Sequence, residues 1–136
     1  MTNAYKIAVI PGDGIGNEVM PEALKVLDAV AAKHDLAFTY DNKDWSCERF
    51  HKLGAMMPAD GLEQIRNHDA ILLGAVGFPG VPDHVSLWGL LIPIRLEFRQ
   101  YVNLRPVRLF EGMPCPLANR KPGDIDMLIV RENNEG

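Results

Sequence analysis

Apolar residues in this chain fall into short runs that alternate with stretches of helical spacing. Lys6 to Ile10 (KIAVI) is a β-branched run stopped by Pro11-Gly12, which predicts a strand. Glu18 to His34 carries Val19, Ala23, Leu24, Leu27, Val30 and Ala31 on one helical face. Pro21 is expected near the start of that helix, because an interior proline costs about 3 kcal/mol. Leu36, Phe38 and Tyr40 alternate as in a strand, and Cys47 to Leu53 reads as a short helix ended by Gly54. Pro58 opens a further helix to His68, with Leu62 and Ile65 inward. Asp69 to Val76 is a continuous apolar run, the pattern of a strand buried on both faces.

A loop, GFPGVPDHV, leads into a helix-like segment from Ser86 to Tyr101 that contains Pro93. Strand candidates at Val102 to Phe110 and Asp124 to Val130 flank the proline-rich EGMPCPLANRKPG. Strands alternating with helices over residues 1–76 predict an α/β fold with a parallel, doubly wound sheet. The pattern turns β-rich after residue 100. Residues 1–100 are therefore expected to form part of a large α/β lobe, and 101–136 the start of a second lobe. The last strand candidate is followed only by RENNEG, which leaves its edge without a partner. The chain is thus expected to be the front part of a longer enzyme.

Composition narrows the function classes. The 136 residues are 47% hydrophobic, enough for a proper core, and the net charge is -4. That sign disfavours electrostatic binding of nucleic acid. No stretch reaches the ~18 apolar residues of a membrane span. The opening apolar run stops after Ile10, too soon for a secretory signal. Cys47 and Cys115 form no CxxC pair, so they read as structural thiols of a reduced, cytoplasmic protein.

Candidate chemistry lies in three places. Pro11 to Gly16 (PGDGIG) sits between a strand and a helix, but its spacing is GxGxG and not GxGxxG, and no Walker lysine follows. A tight structural turn and a ligand-facing loop both remain open there. The loop from Gly74 to Trp88 lies beyond the carboxyl end of a strand, where open α/β sheets bind ligands, although an ordinary surface loop has the same composition. Arg95, Arg105 and Arg131 each follow an apolar run. Converging, they would suit a small polyanionic acid; apart, they are solvated surface groups. His34, His51 and His68 fall near helix C-termini, and His84 stands alone, so no zinc spacing appears. Asp124 and Asp126 alternate at a strand start, and no nucleophile has a base beside it.

Taken together, IAVIPGDGIGNEV, AILLGAVGFPGVPDHVSLWGLLIPIR, QYVNLRPVRLF and DIDMLIVREN resemble the β-decarboxylating dehydrogenases, the isocitrate/isopropylmalate dehydrogenase family. The likeness runs over essentially the whole chain in the family's order. VPDHVSLWG and NLRPVRLFEGMPCPLA resemble its tartrate and D-malate branch; isopropylmalate enzymes typically carry glutamate at the position of Trp88. The resemblance implies an isopropylmalate-dehydrogenase-like α/β/α sandwich, incomplete in this chain, and a homodimer in the full-length protein. It makes Arg95, Arg105 and Arg131 substrate-binding, on the carboxylates and hydroxyl of a malate-like dicarboxylate. Ile15, Val76, Gly77, Trp88 and Leu91 match positions lining NAD, and Leu91 with Ile92 match the region sensing the third-carbon substituent.

The implied reaction is NAD-dependent oxidation of a 2-hydroxy acid, with or without β-decarboxylation. It also calls for Mg²⁺ or Mn²⁺ and a monovalent cation. The catalytic tyrosine and lysine, the metal-binding aspartates and the adenine loop align beyond Gly136, so no catalytic or metal residue is expected here and the isolated chain is expected to be inactive. Two departures stand out: Arg99, where relatives carry an acidic residue, and Asn134, where threonine or serine is usual. Arg99 is expected one helical turn from Arg95, adding charge beside it. An alkylmalate dehydrogenase and a truncated, non-catalytic binding module are the competing expectations.

Overall fold

The computed structural model describes residues 3–134; Glu135 and Gly136 of the RENNEG segment lie outside it. Strand β1 (Asn3–Gly12) leads into helix α1 (Ile15–His34), which returns the chain to strand β2 (Leu36–Asn42). Two short helices, α2 (Cys47–Leu53) and α3 (Gly61–Ile65), precede strand β3 (Ala70–Ala75). Helix α4 (Asp83–Ser86), a π turn (Leu87–Leu91) and helix α5 (Ile92–Glu97) follow, then strands β4 (Val102–Arg108) and β5 (Asp126–Glu132).

The apolar β1 segment occupies the centre of a parallel sheet ordered β2-β1-β3. Ile7 through Ile10 are buried, as a central strand covered on both faces requires. On one side Ile7, Val9 and Met20 of α1 form a core flanked by Leu24, Leu27, Phe38, Tyr40 and Leu72. Each such side chain, fully buried, contributes about 1.5–3 kcal/mol. Tyr40 adds a polar tie between β2 and α1, its hydroxyl donating to Asp28 at 2.8 Å. The side chains of Trp45, Met56, Ile65, Leu90 and Ile94 are buried as well.

Several expectations change. Helix α1 starts at Ile15 rather than Glu18, so Pro21 is its seventh residue and not at its start. The helix tolerates it because Asn17, whose carbonyl loses its bond, is exposed to water. Helix α3 is shorter than Pro58–His68: Pro58 accepts from Gly61 N in a turn, and the helix ends at Ile65. His68 is thus not a helix-terminal cation. Its side chain is 1% exposed, with Nε2 3.0 Å from Asp41 Oδ2. Lys43, 3.1 Å from the same carboxylate, and then His68 hold Asp41 below the usual carboxylate range, against the opposing effect of burial. His34 and His51 do sit in the last turns of α1 and α2.

Strand β3 is half-buried from Ile71 to Ala75, not buried on both faces, because it lies at one side of the sheet. The expected Ser86–Tyr101 helix instead runs without interruption from Asp83 to Glu97, with a π turn in its middle. Pro93 has no N–H to give, and the chain before it widens into the π turn, in which Ile92 N reaches back to Leu87 O. Both final strands shift: β4 ends at Arg108 and β5 begins at Asp126. Asp124 belongs to a turn, its carboxylate accepting from Lys121 N at 3.1 Å, so the two aspartates do not alternate along a strand.

Residue contacts divide the chain into two compact units, up to Ile94 and from Arg95 onward. The second contains the antiparallel pair β4-β5.

Candidate functional site

The turn after β1 is built by close backbone approach. Gly12 has φ 79, and a Cβ there would lie 2.0 Å from the Ala75 carbonyl oxygen. One residue on, Asp13 N donates to that same oxygen at 2.7 Å, stitching β1's exit to β3's end. The Asp13 side chain turns inward and is 5% exposed. Its carboxylate accepts from Cys47 N at 3.0 Å and Glu48 N at 3.3 Å, the first N–H groups of α2. Ser46 Oγ accepts the next, from Arg49 N at 3.1 Å. Gly77 N, in the loop after β3, donates to Asp13 Oδ2 at 3.2 Å. Asp13 therefore joins three segments far apart in sequence. Nothing in the spacing PGDGIG shows this; only an acidic side chain between two glycines hinted that it was needed.

Cys47 completes the arrangement. Its thiol is buried beside the Asp13 carboxylate and the backbone of Gly77 and Phe78. Burial first, then the Asp13 carboxylate, pushes that thiol up to about 11. The proton is held more tightly in the folded protein than in the unfolded chain. Its contribution is therefore complete below the ordinary value of 9.0 and is lost as pH rises through about 11. At pH 8 iodoacetamide should label Cys115, which is half-buried, and leave Cys47 intact. Peptide mapping by mass spectrometry checks this; equal labelling of both would contradict it.

Beside this node lies a cavity of about 310 Å³ lined by Asp13, Gly14, Asn17, Glu48, His51 and Phe78. The His51 and Phe78 rings meet edge-on, 6.0 Å between centroids. Phe78 belongs to the Gly74–Trp88 loop that the sequence offers as a ligand site; the sequence marks His51 only as a helix-end residue and does not single out Asn17 or Glu48. Of the expected cofactor residues, Ile15 opens α1 and is exposed, and Val76 and Gly77 follow β3 beside the Gly12 turn. An exposed apolar side chain at the start of a twenty-residue helix, next to open glycine backbone, fits a nicotinamide nucleotide. Trp88, exposed, and Leu91, half-buried, lie on the π turn and do not line this cavity.

The arginines lie in the second unit. In the β4-β5 register Asn103 faces Arg131 and Arg105 faces Ile129. Residues directly opposite share a face, as do residues two apart on one strand. Asn103, Arg105 and Arg131 therefore share one face of the ribbon, with Arg105 and Arg131 as diagonal neighbours roughly 7–8 Å apart. Arg105 Nε donates to Asn103 Oδ1 at 3.3 Å. Arg108 lies on the other face, with Asp126 at 3.6 Å. Arg95 is half-buried in the last turn of α5. Arg99 does not sit one helical turn beyond it: α5 ends at Glu97, and Arg99 has φ 50, a left-handed turn. Arg99 and Asn134, the two departures, line a common cavity of about 440 Å³ with Tyr101 and Glu132.

Among the described residues no group of three His, Cys, Asp or Glu side chains is placed to hold a metal ion. Likewise, no helix among them is long and apolar enough to cross a membrane.

The chain is 58% identical to the tartrate dehydrogenase/decarboxylase of Pseudomonas putida over 98% of its length, and to 37% of that protein's length. It is 56% identical to the D-malate dehydrogenase [decarboxylating] of Escherichia coli K12, over all of this chain and 38% of that one. The 3-isopropylmalate dehydrogenase of Thermobifida fusca is 54% identical over 96% of the chain and 37% of its own length. The chain thus spans little more than a third of the curated relatives it matches. Among solved structures, the isocitrate dehydrogenase of Methylococcus capsulatus superposes with a TM-score of 0.75 at 29% identity, covering 97% of this chain and 35% of that one. The apo β-decarboxylating dehydrogenase of Thermococcus kodakarensis gives 0.67 at 34%, with the same coverages. The family profile described as isocitrate/isopropylmalate dehydrogenase matches residues 6–136, and the chain belongs to that family.

Proposed function

We propose that the full-length protein containing this chain oxidises a 2-hydroxy dicarboxylate of the tartrate or D-malate type with NAD⁺. Where the product carries a β-carboxylate, that group leaves as CO₂. The observation that carries the reading is the common face of Arg105 and Arg131, an arrangement that two guanidinium forks on one small dianion would require. Among the described residues neither is paired with a carboxylate. Arg95 is assigned as a third carboxylate ligand, by family likeness.

The bound nucleotide supplies the hydride acceptor. This chain's own residues bind and orient: the arginines hold the acid, and Ile15, Val76, Gly77, Trp88 and Leu91 form the surface against the nicotinamide. The proton-transferring tyrosine and lysine of the family align beyond Gly136, so the 136-residue polypeptide alone is expected to give no turnover. The same reading makes the full-length protein a cytoplasmic homodimer.

An alkylmalate substrate is the second reading, favoured by the 54% identity to the Thermobifida enzyme. Rates of NAD⁺ reduction by the purified full-length protein with D-malate, tartrate and 3-isopropylmalate separate the two. The first reading expects D-malate or tartrate to exceed 3-isopropylmalate at least about tenfold in kcat/KM, since a wrong substituent in a specific pocket costs 10-fold or more. A preference for 3-isopropylmalate would overturn it.

A further inference from the structure

The loop after β3 holds two glycines with positive φ, Gly77 at 147 and Gly80 at 96. Neither is there for want of space, because a Cβ at either position would meet nothing within 4 Å. Glycine backbone of this kind loses much entropy when it is fixed. What fixes Gly77 is visible: its N–H donates to the Asp13 carboxylate at 3.2 Å, and that carboxylate is itself held by the first N–H groups of α2. Phe78 in turn meets His51 of α2 edge-on.

We propose that Asp13, with Cys47 beside it, is a positioning residue that holds the 77–80 loop ready for the nicotinamide nucleotide. The proposal rests on the reading above that this loop faces the cofactor. Asp13 is buried, and its carboxylate is spent on the N–H groups of Cys47, Glu48 and Gly77, so its role is argued through the loop and not through the reacting atoms. It acts by removing conformations from a glycine loop before binding, which shows as nucleotide affinity. The substrate arginines stand on other elements, so the acid's own binding should be indifferent to it.

The test compares Asp13→Asn with Ser46→Ala in the full-length protein. Ser46→Ala removes the neighbouring cap of α2 at Arg49 N and leaves Gly77 untouched, so it reports what weakening α2 alone does. The expected result for Asp13→Asn is a rise of about tenfold in KM for NAD⁺, KM for the hydroxy acid changing less than about twofold, and kcat falling less than KM rises. Amide exchange across residues 76–81 should quicken in the free variant and slow again on adding NADH. Ser46→Ala should do neither.

Equal movement of both Michaelis constants, or matching profiles for the two variants, overturns the proposal. If the unaltered protein oxidises its acid without any dependence on NAD⁺ concentration, the cofactor reading fails and the proposal with it. If it depends on NAD⁺ and Asp13→Asn leaves that dependence unchanged, only the positioning role fails.

Discussion

Replacing Arg105 by leucine in the full-length protein is expected to lower kcat/KM for D-malate or tartrate by about 10²–10³-fold, which corresponds to ~3–4 kcal/mol. The size follows from a bidentate, charge-assisted pair in which each hydrogen bond to a charged group is worth about 1.5–3 kcal/mol. Arg131→Leu should fall in the same range. Lysine at either position keeps the charge and loses the fork, so it should recover part of the loss but not all. The decisive control is Arg108→Leu. It is three residues along the same strand, but strand parity puts it on the opposite face, beside Asp126. That exposed pair contributes about 0–1 kcal/mol to stability, so activity should change less than about threefold. Steady-state kinetics of the three leucine variants decides the matter. An Arg108→Leu loss as large as that of Arg105→Leu would mean that the ribbon face does not define the acid's site. Because Arg105 and Arg131 would hold one ligand, their double variant should be less damaging than the product of the singles.

Gly16→Ala is expected to destabilise the protein by about 3–5 kcal/mol, enough to abolish soluble expression in a marginally stable background. The reason is contact and not dihedral freedom. A Cβ at Gly16 would stand 2.1 Å from the Pro11 carbonyl oxygen and 2.8 Å from Ala75 N, both main-chain atoms that cannot yield without moving α1 off the sheet. Gly14, two residues earlier, provides the contrast. Its φ is 46 and ψ -116, outside the left-handed well, and nothing lies within 4 Å of its Cβ position, so alanine there meets only backbone strain, about 1–3 kcal/mol. Urea or thermal unfolding should therefore find Gly16→Ala the less stable of the two variants. Equal, mild effects would show that α1 is free to slide on β1 and β3.

These cases also show what the sequence could convey. Helix α2 was legible to the residue, because Gly54 ends it with φ 76 and the preceding seven residues have no competing pattern. The buried β1 was legible from its β-branched run. Interactions over long sequence separations were not. Asp13 reaches Cys47 and Gly77, 34 and 64 positions away, and no local rule separates such a carboxylate from one in a solvated turn. His68 looked like a helix-end cation until Asp41, 27 positions earlier, claimed it. Pro21 misled for the opposite reason: a sound local rule yielded to exposure on the outer side of α1. The arginines were visible as candidates, but the shared face of Arg105 and Arg131 depends on pairing register. Register lies between strands separated by a long connection, and spacing alone does not contain it.

The π turn at Leu87–Leu91 has a consequence for how this segment can change over evolutionary time. A single π turn is an α-helix carrying one residue more than its hydrogen-bond ladder needs. Within the turn five residues span what four span in an α-helix, so the extra residue is absorbed there and the phase of everything after it is kept. Leu90 and Ile94 point inward while Trp88 stays outside. A one-residue deletion here would restore a regular ladder and leave Ile94 facing the core. The same deletion in α1 would turn every later residue of that helix by about 100°. Length at this point acts as a buffer. A lineage could gain or lose one residue here without re-aiming the helical surface that follows.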